Sequence, residues 1–317
     1  MSQNKGWERT ICRYCGSEDW IRWGWRYNLS RPKQRYRCKS CNRTFVVDDG
    51  FLGKRLPPDA ICAAFDLFFR GTSLEDISRH LEVCWSLKVT APSILEWVRG
   101  YSRMLGDWVE DLMSTEKVNS GTRWHQDIAI LKRGRERRYV WLLRGRGRRG
   151  RPILLSALYT TDRKEEHAVI LLEDAIARTR DLPDALVSDE EHSFKRAYYK
   201  LFYRRHRKRV KLVHGVPIAC KKHGLKHNNN PAEQMVDELK DWYRHMNGFS
   251  SDGSATDMVR GWFVHENFVD IHGRAGTWAE RAGLDIGLPM EERIQEMIKR
   301  AARWRIKNRK KFHQPLT

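Results

Sequence analysis

Two Cys-x-x-Cys pairs constrain the first fifty residues more tightly than any other feature of the sequence. Cys12 and Cys15 form the first pair, and Cys38 and Cys41 form the second. Pairs of thiolates presented on two turns are common ligands of tetrahedral Zn²⁺. Four sulfur ligands leave no open coordination position, so the metal would be structural rather than catalytic. We therefore predict a zinc ribbon over residues 1–50.

Three tryptophans lie between the cysteine pairs, in the segment WIRWGWRYNLSRPKQRYR. Aromatic and basic side chains alternate there in short strand-like runs. Trp20, Trp23 and Trp25 can stack on the bases or sugars of a nucleic acid, or they can cover the small core of the ribbon. The sequence leaves both interpretations open.

The charge of the chain indicates a polyanionic partner. Sixty Lys and Arg residues stand against 40 Asp and Glu, which leaves a net charge of +20. Nucleic acid is the first candidate for a chain this basic. No apolar run is long enough to span a membrane, and the start MSQNKGWERT lacks the apolar run of a signal peptide. These features predict an intracellular protein without a membrane partner.

The segment 56–115 predicts three helices. DAICAAFDLFF forms the first, Gly71 breaks the chain, and Ser73 caps the second. The third helix carries an apolar stripe of Ile94, Trp97, Val98 and Tyr101. This arrangement is similar to a helix-turn-helix, in which the last helix enters the major groove of DNA. An ordinary three-helix packing unit is the alternative.

Short apolar runs begin at Arg123 and predict an α/β domain. WHQDIAIL, YVWLL and ILLSALY read as strands, followed by a helix and the strand ALVS. Asp127 lies inside the first strand, where a carboxylate is costly unless it is paired or bound to metal. Asp189 follows ALVS at the end where open α/β sheets place their sites. Each also has a structural explanation, as an edge-strand surface residue and as a helix cap.

A third carboxylate opens the helix predicted from NNNPAEQMVDELK. With Asn230 as N-cap and Pro231 at the first position, Glu233 would be the third residue of a capping box. At about 100° per residue, a polar face beside the apolar stripe collects four side chains: Glu233, Asp237, Lys240 and Arg244. Glu233 is therefore either a cap or a ligand.

Three carboxylates from two strands and a later helix suit phosphoryl transfer. Such a set can hold two divalent ions about 3.5–4 Å apart, which clamp the attacking and leaving oxygens. Oxygen ligands favour Mg²⁺ or Mn²⁺ over zinc.

The motifs together resemble bacterial and archaeal insertion-sequence transposases with an RNase H-like core and an Asp-Asp-Glu triad. The resemblance is carried by CRYCGS, RYRCKSCNRTF, LVSDEEHSFKRAY, NNNPAEQMVDELK, HMNGFSS, FVHENFV and GTWAERAGL. It implies that Asp127, Asp189 and Glu233 are the catalytic, metal-binding triad, and that Lys240 contacts the DNA end. It also implies that the protein cuts DNA at element ends and joins the 3′ hydroxyl to target DNA. The protein would then be cytoplasmic and associated with the nucleoid of a prokaryote.

The predicted fold class is α/β, with a zinc ribbon and a helix-turn-helix ahead of an RNase H-like mixed sheet. The predicted domains are 1–50, 56–115, a catalytic domain at 120–272 and a basic helical tail at 273–317. Predicted DNA contacts are Lys240, Arg244, Arg144, Arg146, Arg148 and Arg149.

Two predictions concern the assembly and the activity of the chain. Synapsis of two DNA ends implies a homodimer or a higher oligomer on DNA. A decayed or domesticated transposase that only binds DNA is the alternative to an active enzyme. The complete triad favours the enzyme, whereas Ile128 and Ala129 beside Asp127 depart from the residues of many relatives and favour the alternative.

Overall fold

The computed structural model describes residues 10–27, 32–146, 152–203, 209–215, 229–246, 248–271 and 276–308. Its N-terminal part is an antiparallel sheet of three strands: β1 (Trp20–Tyr27), β2 (Pro32–Cys38) and β3 (Thr44–Val46). A small apolar cluster of Cys12, Cys38 and Phe45 lies beside this sheet. So small a core supports the prediction that a metal stabilises the ribbon.

A bulge in β1 divides the tryptophans of the ribbon between core and surface. The pairing register with β2 shifts between Arg22 and Trp25, and Gly24 within the bulge has φ +74°, a conformation that glycine adopts without strain. Trp20 packs edge-on against Tyr36 with 4.7 Å between ring centres. The other two tryptophans of β1 are exposed by 44% and 55%. Trp20 therefore covers the core of the ribbon, whereas the stacking of Trp23 and Trp25 on nucleic acid stays a prediction that their exposure permits.

Three helices follow the ribbon: α1 (Pro58–Phe69), α2 (Leu74–Trp85) and α3 (Ala91–Thr115). Gly71 breaks the chain with φ +86°, and the Ser73 hydroxyl accepts a hydrogen bond of 3.1 Å from the backbone N–H of Asp76. The predicted break and cap are thus confirmed. One face of α3 is buried along its whole length, at Ile94, Val98, Leu105 and Val109, so only the opposite face could meet DNA.

A second sheet has five strands: β4 (Arg123–Arg133), β5 (Glu136–Arg146), β6 (Pro152–Thr160), β7 (Ala185–Ser188) and β8 (Lys211–His214). Their order is β6-β5-β4-β7-β8. The strands β6, β5 and β4 are antiparallel neighbours, whereas β7 and β8 run parallel to β4. The sequence predicted this mixed sheet and its first four strands, but it did not predict β8.

Helices cover both faces of the sheet and extend beyond it: α4 (Glu165–Thr179), α5 (His192–Tyr198), α6 (Asn230–His245), α7 (Asp252–Val264), α8 (Trp278–Arg281) and α9 (Arg293–Lys307). Wider helical turns extend α5 over Tyr199–Tyr203 and α7 over His265–Val269. The helix α6 lies over β4 and β5. On the other face, Asp174 of α4 accepts a hydrogen bond of 3.1 Å from Ser156. In the part of the chain that the structure describes, no helix is both long and apolar enough to cross a membrane.

One hydrophobic core joins the helical segment, the sheet and the C-terminal helices. It extends along the chain from Phe51 to Ala302. Phe69 of α1 stacks on Trp242 of α6 with 5.6 Å between ring centres, and Trp242 stacks in turn on Trp262 of α7. The segments that the sequence treats as separate after residue 50 therefore pack around a shared interior.

The C-terminal helix α9 packs against the rest of the protein. It therefore differs from an exposed basic tail. Its apolar face is buried at Ile294, Met297 and Ile298, against α1 and α3. Its cations are engaged within the chain by Arg293–Glu280, Arg300–Glu296 and Arg305–Asp107 ion pairs. The apolar face explains why the helix packs on the protein, because the free energy gained by burying it exceeds that of leaving the basic side chains fully exposed.

Candidate active site and metal centres

Asp127 and Asp189 lie side by side in the interior of the sheet, where the parallel ladder between β4 and β7 ends. The residues that precede them, Gln126 of β4 and Ser188 of β7, are the last paired residues of the parallel ladder. One oxygen of each aspartate is held by a backbone N–H: Asp127 Oδ1 accepts from Ile128 at 2.7 Å, and Asp189 Oδ1 accepts from Glu191 at 3.1 Å. The second oxygen of each carboxylate remains for another ligand.

Glu233 lies in the first turn of α6, on the face of the sheet that carries Asp127. The helix begins one residue earlier than predicted, with Asn229 as N-cap and no side-chain capping hydrogen bond. Glu233 is therefore the fourth helical residue, and its backbone N–H bonds to the Asn229 carbonyl at 3.1 Å. The predicted capping box with Asn230 is wrong. Glu233 thus does not serve as the side-chain cap that competed with a ligand role.

The three carboxyl groups perturb one another. Burial, followed by the nearby Asp189 carboxylate, raises the pKa of Asp127 to about 7, and Glu233 adds to this rise. Burial also raises the pKa of Asp189. For Glu233, burial and then the charges of Asp237 and Asp189 raise the pKa. Like charges held together in a partly dry site are typical of cation sites and active sites, because a bound cation relieves their repulsion.

The three carboxyl groups have the chemistry that binds a hard divalent ion, but their oxygens are too far apart to enclose one. Carboxylate oxygens are the ligands that Mg²⁺ and Mn²⁺ prefer. Among the described residues, only the four ribbon cysteines form a group of three or more possible ligands whose donor atoms all lie within 4.8 Å of one another. The oxygens of Asp127, Asp189 and Glu233 are therefore further apart than in a closed metal site.

Lys240 and Arg244 follow Glu233 along α6. Lys240 is half-buried, and its ammonium group counteracts the rise in the pKa of Asp127. It thus lies beside the acidic site, as the predicted polar face requires. Arg244 is exposed and forms an ion pair with Asp241.

His214 and Arg163 are site residues that the sequence did not single out for this role. His214 ends β8, and its Nδ1 lies 2.9 Å from the Ser188 hydroxyl. Both His214 and Arg163 counteract the rise in the pKa of Asp189. His214 reaches Asp189 only because β8 pairs with β7. The sequence signal that could have indicated this strand is the short segment KLVH.

The arginines predicted to contact DNA have different surroundings. Arg144 is only 4% exposed; its guanidinium group bonds to the Pro231 carbonyl at 3.1 Å. This burial argues against the predicted contact with DNA, since a phosphate cannot approach a guanidinium that the protein covers. Arg146 is exposed at the end of β5, while Arg148 and Arg149 lie outside the described residues.

The four cysteines of the ribbon form a compact cluster. Cys12 Sγ lies 3.7 Å from Cys41 Sγ, and Cys15 Sγ lies 3.5 Å from Cys38 Sγ. Four sulfurs at about 2.3 Å from a tetrahedral Zn²⁺ would lie about 3.8 Å apart. The cluster therefore fits a structural zinc ion. Burial raises the pKa of the Cys38 thiol, but hydrogen bonds, led by that from the Cys41 backbone, outweigh it and lower the value to about 6.

A mixed five-stranded sheet, helices on both faces and acidic residues on adjacent strands and a covering helix define an RNase H-like, integrase-like core. Residues 121–272 match the protein family described as "DDE domain". The segment belongs to that family, and the chain carries the DDE core of an insertion-sequence transposase. The matched range contains Asp127, Asp189 and Glu233. Among curated proteins, none matches this chain.

Solved structures with a similar fold include proteins of two viruses. One is the simian T-cell lymphotropic virus intasome in complex with the PP2A regulatory subunit B56 gamma, at 13% identity and TM-score 0.35; the match spans 55% of this chain and 59% of that one. Another is the HTLV-2 integrase catalytic core domain in complex with magnesium in its trimeric form, at 10% identity and TM-score 0.36, over 53% of this chain and 99% of that one. The dimeric form of the same domain matches at 9% identity and TM-score 0.32, over 52% of this chain and 97% of that one.

Proposed function

We propose that the protein is a metal-dependent transposase that cuts DNA at the ends of an insertion sequence and joins the freed 3′ hydroxyl to target DNA. The observation that supports this most strongly is the grouping of Asp127, Asp189 and Glu233, whose carboxyl pKa values are all raised. Three elements distant in sequence bring these acids together. A structural role does not require three mutually repelling acids there.

In this proposal Asp127, Asp189 and Glu233 hold Mg²⁺ or Mn²⁺. The bound ions supply charge stabilisation to the attacking and leaving oxygens of each in-line displacement. The backbone N–H groups of Ile128 and Glu191 keep the two aspartates oriented. Because oxygens must move closer to bind an ion, we propose that the bound metal draws Glu233 towards the aspartates.

Basic side chains around the acids are proposed to bind the DNA. Lys240 lies near Asp127 and can pair with the phosphate next to the scissile bond. Arg146 is exposed at the end of β5 and can pair with phosphates further along the duplex, as can Arg244 if its exposed pair with Asp241 opens. Such contacts position the duplex without reading its sequence.

Recognition of the element ends is assigned to the zinc ribbon and the helices α1–α3. The ribbon presents exposed Trp23 and Trp25 beside arginines. We propose that these modules select the ends, that Zn²⁺ is held by the four cysteines, and that two or more copies assemble on DNA in the cytoplasm of a prokaryote. Two element ends held together need at least two such modules.

The alternative function is DNA binding without cleavage. It is favoured by the open spacing of the carboxylate oxygens and by the apolar Ile128 that follows Asp127. The two functions differ in one measurable property, which is metal-dependent breakage of a phosphodiester bond.

The test is a cleavage and strand-transfer assay with the full chain on duplexes that carry the terminal repeats flanking its gene. We expect Mg²⁺- or Mn²⁺-dependent release of a 3′ hydroxyl and its joining to a plasmid. Asp127→Asn and Asp189→Asn should abolish both steps and keep end binding, while Glu291→Gln, an exposed acid away from the site, should retain them. Wild-type protein that binds ends but breaks no bond with either metal would establish the alternative.

A further inference from the structure

Arg144 occupies an unusual position for an arginine in a DNA-binding protein. It lies near the end of β5, opposite His125 of β4, and only 4% of its surface is exposed. The helix α6 covers this part of the sheet. Burial lowers the pKa of its guanidinium, because removing a charge from water is costly. A buried cation of this kind needs specific partners.

The partners of Arg144 hold the start of α6. One guanidinium nitrogen, Nη1, donates a hydrogen bond of 3.1 Å to the carbonyl of Pro231, two residues before Glu233. The guanidinium carbon lies 4.3 Å from the ring centre of Trp278 in α8. Trp278 is itself buried, with 3% of its surface exposed. The planar group is thus fixed between the first turn of α6 and an aromatic platform.

Two glutamates lie close enough to Arg144 for their charges to act on its guanidinium. Glu238 lies on α6, and Glu266 follows α7; both act on Arg144 by counteracting the fall in its pKa. Burial and then Glu238 raise the pKa of Glu266 to about 8, and Arg144 counteracts that rise. Both glutamates therefore belong to the electrostatic surroundings of Arg144, whereas its hydrogen bond is with Pro231 and its ring contact is with Trp278.

The position of Arg144 is not one from which its charge would stabilise the helix. A helix N-terminus carries partial positive charge, so a cation beneath the first turn is unfavourable there. An acidic or polar residue would stabilise the same turn better. The arginine is suited instead to holding one carbonyl in a defined direction, because its donors form a rigid planar fork.

We propose that Arg144 is a positioning residue: by holding the Pro231 carbonyl while stacked on Trp278, it fixes the first turn of α6 and sets where Glu233 stands over the aspartates. The proposal rests on the proposed role of Glu233 as a metal ligand. Arg144 itself does not touch the metal or the DNA. Residues that orient a metal ligand commonly change metal affinity or activity by roughly 10- to 100-fold when they are replaced.

The experiment compares the full-length wild-type protein with Arg144→Lys and Arg144→Met. The lysine keeps a charge opposite the two glutamates but lacks the planar fork, so it separates positioning from charge compensation. Arg137→Met is the matched control, since Arg137 is an exposed arginine on the same strand. Two properties are measured without DNA: hydrogen exchange of the amides in the first two turns of α6, and Mn²⁺ binding by electron paramagnetic resonance, with Asp127→Asn as the background.

We expect Arg144→Lys to keep the thermal midpoint of the control but to exchange the α6 amides faster and to bind Mn²⁺ roughly 10- to 100-fold more weakly. Arg144→Met should show the same change or a larger one, and end-DNA binding should persist in both. If both variants match Arg137→Met in exchange and in Mn²⁺ binding, the proposal is overturned; if Arg144→Met unfolds, Arg144→Lys alone decides. Absence of metal-dependent cleavage by the wild type would refute the proposed function, whereas the exchange comparison would still test the hold of Arg144 on α6.

Discussion

At the scale of single residues, the start of α6 separates two roles that sequence alone leaves equal for Glu233. A capping box needs the acid at the third helical position, where its side chain can reach back to the N-cap N–H. Here the helix starts at Asn230 and no side chain caps it, because Asn229 takes the N-cap position with its side chain fully buried. A shift of one residue thus removes the capping role and leaves Glu233 beside Asp189.

The first prediction concerns Glu233→Gln. Glutamine keeps the shape of the side chain but has no charge to hold Mg²⁺, so strand transfer should fall by orders of magnitude while end binding persists. Loss of the negative charge near a helix N-terminus should cost at most about 0.3–1 kcal/mol of unfolding free energy. Glu166→Gln, in the first turn of α4, is the matched control for that helix effect. Near-normal strand transfer by Glu233→Gln would remove Glu233 from the triad.

The second prediction is a pH dependence set by Asp127. Its folded-state pKa of about 7 lies above the ordinary value of 3.8, so the folded protein binds a proton that the unfolded chain does not. The stability due to that proton is complete below about pH 4 and is lost as pH rises through about 7. Asp127→Asn removes the charge and should stabilise the protein at pH 8 without added Mg²⁺ or Mn²⁺, by up to about 4 kcal/mol, since one pKa unit corresponds to about 1.4 kcal/mol.

Urea unfolding of wild type and Asp127→Asn at pH 5 and pH 8 measures this difference. The gain should be clearly larger at pH 8 than at pH 5, because at pH 5 only the unfolded chain has ionised and the full shift is not yet expressed. Added Mn²⁺ should stabilise the wild type and not the variant, because only the wild type carries the complete donor set. An equal gain at both pH values would mean that Asp127 ionises as an exposed aspartate does.

At the scale of elements, the zinc ribbon is the one whose stability depends most on metal binding and least on hydrophobic packing. Its apolar cluster contains only Cys12, Cys38 and Phe45 at full burial, and the sulfur separations suit tetrahedral zinc. Metal binding should therefore supply most of the folding free energy of this element.

The third prediction follows from that dependence. The full chain should contain one Zn²⁺, and Cys15→Ser should lose it and unfold the ribbon while the five-stranded sheet stays folded. Metal analysis and hydrogen exchange across residues 10–50 measure the two effects. Cys84→Ser is the control, because Cys84 is an exposed cysteine outside the cluster. Zinc retained at the wild-type level by Cys15→Ser would contradict the four-cysteine site.

The elements differ in how far local sequence determines them. The strands β4, β5 and β6 have long apolar runs, and Ser73 is a strong cap, so both were predictable from period and composition. The strand β8 is short and lies among basic residues, and only its pairing with β7 defines it. The bulge at Gly24 decides which tryptophans are exposed, and it depends on register, which composition does not encode.

At the scale of the whole molecule, charge in the sequence was a poor guide to which cations are exposed at the surface. Arg144 and Arg300 lie in basic stretches of the sequence, yet both are more than nine-tenths buried. Long side chains bury their stems readily, and a buried guanidinium can be satisfied by carbonyls and carboxylates that are remote in sequence. The proximity of Asp127, Asp189 and Glu233 was predictable, because the motifs single out all three and strand position places the two aspartates together.

The last prediction tests whether the N-terminal helices form a domain of their own. Residues 1–115 look independent in sequence, yet α3 buries Leu105, Val109 and Met113 against the rest of the chain, chiefly α7. Burial of such side chains contributes about 1.5–3 kcal/mol each, which a fragment ending at 115 would lose. We expect that fragment to be poorly folded and prone to aggregation, and the full chain from residue 51 onward to unfold in one transition. Circular dichroism and analytical ultracentrifugation of the two proteins measure this.

The zinc-loaded segment 1–50 is the control, since its cluster is separate from the main core and it should stay monomeric. A soluble, cooperatively unfolding 1–115 fragment would instead mean that α1–α3 need no support from the catalytic core, and that DNA-end selection can be separated from catalysis by cutting the chain there.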